Sequence, residues 1–151
     1  MKYLLMIIFL GVLNASTARF LTYNLLNYED ENSREDDYVM ILDLVEPDLI
    51  IAQEIIGQTG YSHFQSDVLD VLEPTIWSSA PFTNQSAQQD IALYYKSDIF
   101  TFIGTSVVYT AQSSGTRDVI EWVMLHNLSG VEFNVYGLSL IHISEPTRPT
   151  P

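Results

Sequence analysis

The sequence predicts an α/β layered domain, on three observations. Residues 20 to 54 read as strand, helix, strand. Residues 61 to 72 carry a second helical period, and from residue 91 onward the apolar period drops to two through four successive runs. Helices first and strands afterwards imply layers, not a purely parallel sheet. The 151 residues, 47% apolar and 12% aromatic, supply enough side chain for a core.

The first eighteen residues stand apart. Lys2 is the only early charge, Tyr3 to Leu13 is an apolar block, and Ser16-Thr17-Ala18 offers small residues for cleavage. This is the three-part form of a secretory signal, and the block is short against the roughly 20 residues of a membrane span. Residues 1–18 are therefore expected to be a signal peptide, with an uncleaved anchor as the alternative. Cleavage after Ala18 would place the mature protein outside the cell or in the periplasm, with no membrane attachment.

Arg19-Phe20-Leu21-Thr22-Tyr23-Asn24 is a strand ending in an amide. Asn27 to Asp37 then packs six acidic residues and one Arg into eleven positions, a solvated loop entering a helix that Asn32 or Ser33 can cap. Tyr38, Ile41, Leu42 and Val45 recur at helical spacing, and Pro47 stops the helix. Pro47-Asp48-Leu49-Ile50-Ile51-Ala52-Gln53-Glu54 is a second strand, simplest as a parallel neighbour of the first. Phe64, Val68, Leu69 and Leu72 mark one face of the next helix, closed by Pro74. Ile91 to Tyr95, Phe100 to Tyr109, Val119 to Leu125 and Val131 to Tyr136 follow as strands, separated by turn-forming residues.

Composition narrows the chemistry. There is no cysteine, which excludes disulfides, thiolate metal sites and a cysteine nucleophile. Six basic residues face 19 acidic ones, so a broad electrostatic grip on nucleic acid is disfavoured. A phosphodiester substrate would have to be held by divalent cations and a few placed basic residues.

Glu54 is the leading candidate residue. A hard cation such as Mg²⁺ takes oxygen ligands, often only one or two carboxylates plus water and phosphate, and a strand end gives such a ligand rigid support. The alternative is a terminal Glu pointing to water. Asn24, at the end of the neighbouring strand, can converge on the same ion, or its side chain can cap local backbone. Asn27 is a weaker candidate of the same kind. Arg117, in Gly115-Thr116-Arg117-Asp118, is a candidate phosphate contact because cations are so scarce. An ion pair with Asp118 or Glu121 is the competing reading. In Asp90-Ile91-Ala92-Leu93-Tyr94-Tyr95-Lys96, one Tyr should belong to the core and the other, with Tyr94 the candidate, could line the cleft and meet substrate, although aromatic core packing is the better reading for either. His63 and His126 have no partner at recognisable spacing. The Asn-x-Ser triplets at Asn14, Asn84 and Asn127 carry no force by themselves.

Three of these segments, the Tyr-Asn-x-Leu-Asn-Tyr opening, the Pro-Asp-x-x-x-x-Gln-Glu strand and the Leu-Tyr-Tyr-Lys strand, occur in an order that resembles the endonuclease/exonuclease/phosphatase (DNase I-like) superfamily. Secreted bacterial members are the most similar in feel. The resemblance covers residues 19–137, about the first half of such a domain, and implies a four-layer α/β sandwich. It also implies a Mg²⁺- or Mn²⁺-dependent phosphodiesterase, with Asn24, Glu54 and Arg117 catalytic, Glu54 and Asn24 at the metal, and Asn24 and Arg117 as phosphate contacts. DNA is the leading substrate; a phospholipid or other small phosphodiester, or a catalytically dead binding or adhesion domain, are the alternatives. No stable protein partner is implied.

The family's next strand should carry a His where this chain has Ser139, and its Asp-x-Asn and Asp-His motifs do not appear. Leu138 to Arg148 instead resembles the translation of a transposase adapter used to prepare sequencing libraries. Residues 138–151 are accordingly expected to be a non-native tail, the alternative being a genuine last strand. Residues 19–137 are expected to be inactive without the missing half, and to leave a sheet uncovered.

Overall fold

A computed structural model describes residues 17–29, 33–85, 89–108 and 119–138. The element order is β1 (Phe20–Tyr28), α1 (Glu35–Val45), β2 (Leu49–Ile55), α2 (Gly57–His63), a π-helical stretch (Phe64–Leu69), α3 (Asp70–Leu72), β3 (Trp77–Ser79), β4 (Asp90–Lys96), β5 (Phe100–Val108), β6 (Val119–His126) and β7 (Val131–Gly137). The four strands β1-β2-β4-β3 form one sheet and β5-β6-β7 a second. β1 and β2 are parallel, in register from Phe20 and Leu49 to Asn24 and Gln53, as the strand-helix-strand pattern predicts. Every other pairing is antiparallel.

The four strands expected from residue 91 onward are all present, but they do not form one sheet, because β4 does not pair with β5. β4 inserts beside β2, and the turn at residues 97–99 carries the chain across to the second sheet. The reason is burial on both faces. Ala92 and Tyr94 pack against the helices with Ile50 and Ala52. Ile91, Leu93 and Tyr95 pack against Ile120, Trp122 and Met124 of β6. A strand buried on both sides belongs in the middle of a layered stack. The described layers are therefore helices, first sheet and second sheet, three of the four that the sandwich requires. The outer face of the second sheet is polar: Glu121 accepts hydrogen bonds from Tyr136 (2.6 Å), Ser106 (2.8 Å) and Asn134 (2.9 Å).

Local signals mostly hold. Helix α1 buries Tyr38 and Leu42, and it ends in a left-handed Glu46 (φ 49°) whose N–H donates to the Leu42 carbonyl just before Pro47. Its predicted cap does not form. Arg34 sits at the N-cap with no side-chain cap, so Ser33 does not serve, and Asn32 lies outside the described residues. Glu35, Asp36 and Asp37 answer the helix dipole instead. The second helix starts four residues earlier than its apolar pattern, at Gly57, whose φ of 61° makes the turn out of β2. Strand β3 has only three residues, too few to show a period, and is an edge strand on β4.

Gly60 passes so close to β1 that an added Cβ would lie 2.4 Å from the Tyr28 carbonyl oxygen. Since that atom is backbone and cannot swing away, Gly60→Ala is expected to cost about 3 kcal/mol, the upper part of the overpacking range, in a urea titration.

The helix-side core is rich in phenols. Tyr28 and Tyr94 are fully buried, and Tyr38 nearly so. Burial pushes the Tyr28 phenol well above its ordinary range, helped by its hydrogen bond to Glu35, and burial does the same for Tyr94. A folded pKa raised above the unfolded value means that the native state holds more protons above about pH 10, so stability is intact below that pH and falls as pH rises beyond it. Melting temperature is expected to drop steeply above about pH 10, with tyrosinate absorbance appearing only as the chain unfolds. Phenols that ionise freely in the native state at pH 10 to 11 would contradict this.

Candidate active site

Glu54 does not sit in the strand ladder. Gln53 pairs with Asn24 on one side and Ile91 on the other, while Ile55 pairs with Tyr28 and Asp90, so both ladders skip Glu54. It is the extra residue of a β-bulge, with a left-handed φ of 59°. A bulge re-aims one side chain, and left-handed backbone in a non-glycine residue costs on the order of 1–2 kcal/mol. Its carboxylate is half-buried, and no hydrogen bond to it is recorded among the described residues.

Strain collects at this end of the sheet. Of the five non-glycine residues with positive φ among those described, Leu26 (51°), Asn27 (58°) and Glu54 lie where β1 and β2 leave their paired register. Such outliers persist only where the surroundings impose them. Here the Arg34 guanidinium does so, with Nη1 donating to the Leu25 carbonyl at 3.0 Å and the Leu26 carbonyl at 3.2 Å. Gln89 donates to the Asn27 side-chain oxygen across the rim. Leu25 is buried and Leu26 is 65% exposed, so this loop displays an apolar side chain beside Glu54.

Asn24 is exposed, on the residue opposite Gln53, one position from Glu54. Its Oδ1 accepts the Leu26 N–H at 2.8 Å. The backbone-capping reading is thus realised, and β1 continues through a bulge to Tyr28 instead of ending at Asn24.

Tyr94 requires a correction. It is 0% exposed, its hydroxyl donates to the Tyr61 carbonyl at 2.9 Å, and its ring packs on Tyr61 and Phe64. Alternation along β4 turns it towards the helices, so it is a core residue and does not reach the cleft. His63 pairs with Asp67 on its own helix, and His126 bonds Ser129 in a turn.

Arg117 lies outside the described residues. The strand ends that flank its loop, Val108 and Val119, pair with each other. Next to them Ile120 pairs with Gly137, and the following residue, Leu138, accepts a hydrogen bond from Gln53 Nε2 at 3.0 Å. That bond brings the exit of β7 and the ends of β5 and β6 to the same end of the sandwich as Glu54. The chain packs tightly there, since a Cβ on Gly137 would fall 2.6 Å from the Trp122 ring.

Asp90 and Arg34 escaped the sequence reading. Asp90 is 2% exposed with both carboxylate oxygens taken by backbone N–H groups. An Asp at the head of an apolar strand was the available signal. No group of three or more His, Asp or Glu is arranged to hold a metal ion among the described residues. Among the described residues, Glu54 is an acidic side chain at this end whose carboxylate accepts no hydrogen bond, whereas both carboxylate oxygens of Asp90 are occupied. One free carboxylate beside an amide suits a hard cation that keeps water and substrate oxygens, and does not suit a closed all-protein cage.

No protein-family pattern matches the chain, and no curated protein sequence does. Solved structures do match its fold. An endonuclease/exonuclease/phosphatase family protein from Bacteroides thetaiotaomicron superposes with a TM-score of 0.63 at 14% identity, over 85% of this chain and 52% of that one. ANGEL2, a 2',3'-cyclic phosphatase solved with adenosine-2',3'-vanadate, gives 0.56 at 13% identity, over 82% and 41%. TDP2 from D. rerio, solved with a single-stranded DNA product, gives 0.51 at 11%, over 77% and 43%. The chain spans about half the length, or less, of the structures it matches. At these identities the likeness establishes the fold.

Proposed function

We propose, on the premise that this chain carries the endonuclease/exonuclease/phosphatase fold, that it is the N-terminal part of an exported, divalent-metal-dependent phosphodiesterase acting on DNA. The observation that carries the reading is Glu54, held out of both ladders in a left-handed bulge beside Asn24. A carboxylate kept in a strained backbone, with no hydrogen-bond partner among the described residues, supports a role towards a ligand.

Glu54 and Asn24 would hold Mg²⁺ or Mn²⁺, which when bound neutralises charge on phosphate oxygens. The chain's own residues do the rest. Glu54 supplies a fixed negative oxygen, because the bulge leaves its backbone no freedom to follow the ligand. The Asn24 Oδ1, which accepts the Leu26 N–H, keeps a second lone pair for the metal, and the NH₂ of the same amide would donate to a phosphate oxygen. Arg117, between β5 and β6 in the sequence, would supply a phosphate contact in a chain of net charge −13 with only six basic residues. Residues 1–18 would direct export and be removed, and residues 138–151 are foreign to the parent. Support for DNA comes from the single-stranded product held by the D. rerio neighbour.

A second reading, a phospholipid or other small phosphodiester, is favoured by the strongly acidic charge and by the exposed Leu26 at the rim. The test is to express the longest reading frame at the source locus and assay it with Mg²⁺ or Mn²⁺. Supercoiled plasmid and sphingomyelin vesicles serve as substrates. Metal-dependent nicking supports DNA, phosphocholine release supports the second reading, and neither activity would leave a binding domain.

A further inference from the structure

Glu54 can hold its position only if the backbone on both sides of the bulge is pinned. Before the bulge, Gln53 is secured by pairing with Asn24 and Ile91. After it, Ile55 pairs with Asp90, and the chain then leaves the sheet at Ile56 and turns through Gly57. Asp90 opens β4 and is buried to 2% exposure. Its Oδ2 accepts the Gly57 N–H at 3.1 Å and its Oδ1 accepts the Gln85 N–H at 2.7 Å. One carboxylate therefore ties together the chain three residues beyond Glu54 and the segment that leads into β4. A buried carboxylate with both oxygens spent on backbone N–H groups is not a free ligand; it is a fastener.

We propose that Asp90 is a positioning residue for Glu54. By clamping the Gly57 N–H it closes the downstream side of the bulge and holds the left-handed Glu54 in one orientation. Without the clamp, residues 55–57 relax, Glu54 returns to ordinary extended backbone, and its carboxylate swings away from the cation. The inference rests on the metal-binding reading of Glu54 given above.

The experiment uses the longest reading frame at the source locus as wild type, Glu54→Gln, Asp90→Asn and Asp90→Ser. Three quantities are measured: Mn²⁺ affinity from the free-ion spin resonance signal, amide hydrogen exchange across residues 53–57, and the melt. Asp90→Asn keeps size and one acceptor but turns an NH₂ towards the Gly57 N–H. It is expected to melt cooperatively, to exchange faster at Gly57, and to bind Mn²⁺ about tenfold or more weaker, the range seen when groups that orient metal ligands are removed. Glu54→Gln is expected to lose Mn²⁺ affinity with unchanged exchange at Gly57.

Unaltered Mn²⁺ affinity in both Asp90 variants, with Glu54→Gln weakened, would overturn the positioning role and leave the function standing. Wild-type affinity in Glu54→Gln would instead remove the metal reading, and the positioning role with it. Loss of cooperative melting in both Asp90 variants would make Asp90 a folding determinant and also overturn the proposal.

Discussion

Glu54→Gln in the parent protein is expected to lower metal-dependent hydrolysis by about 10²–10³-fold, on the order of 3–4 kcal/mol of transition-state stabilisation, the scale of one well-placed electrostatic group. Gln has the same size and the same backbone cost in the left-handed region, so the melt should barely move. Glu54→Gly separates the two roles further. Glycine occupies φ near 59° without the steric penalty, so this variant should be inactive yet more stable by about 1 kcal/mol, after allowing for the glycine's greater unfolded-state entropy. Loss of activity with gain of stability is the signature of strain maintained for function. A destabilised Glu54→Gly would mean that the side chain holds the fold together, and the ligand reading would be wrong.

Residues 19–138 expressed alone are expected to show no more than trace turnover and to aggregate, while the longer parent does neither. The three described layers leave apolar side chains in the open: Ile103 is 50% exposed, Val107 46% and Val131 56%. β5 and β7 are edges of the second sheet, and such edges recruit further strands unless covered. Helix α1 adds Met40 at 65% and Leu44 at 84% on its outer side. Activity is expected to be lost for a separate reason. Glu54, Asn24 and Arg117 can bind and orient a phosphate, but no base for the attacking water is among them. A monomeric, cooperatively melting fragment would overturn the first expectation, and family-like turnover the second. The two outcomes are independent, because the first reads packing and the second reads chemistry.

What was legible in the sequence was local. The period of three and four over Tyr38, Ile41, Leu42 and Val45 marked the helix, although only Tyr38 and Leu42 are buried, and the period of two marked β6; both follow from geometry within a single element. Glu54 and Asn24 stood out because polarity interrupts an apolar run at one position. The capping bond at Asn24 spans two residues, and the reading that allowed for it was the one realised.

Tertiary structure decided whatever depended on partners far away in the chain. Tyr94 and Tyr95 are adjacent and chemically alike. Only the placement of β4 between β2 and β3, with helices on one face and β6 on the other, sends Tyr94 among the phenols and Tyr95 to the second sheet. Asp90 reads as an ordinary strand-opening residue until Gly57, 33 positions earlier, supplies the N–H that consumes its oxygen. The bulge at Glu54 exists because β2 must pair with β1 and β4 at once, and one residue fits neither ladder. Periodicity and polarity are properties of a segment and are written in it; register, burial and strain arise between segments, and only the folded chain sets them.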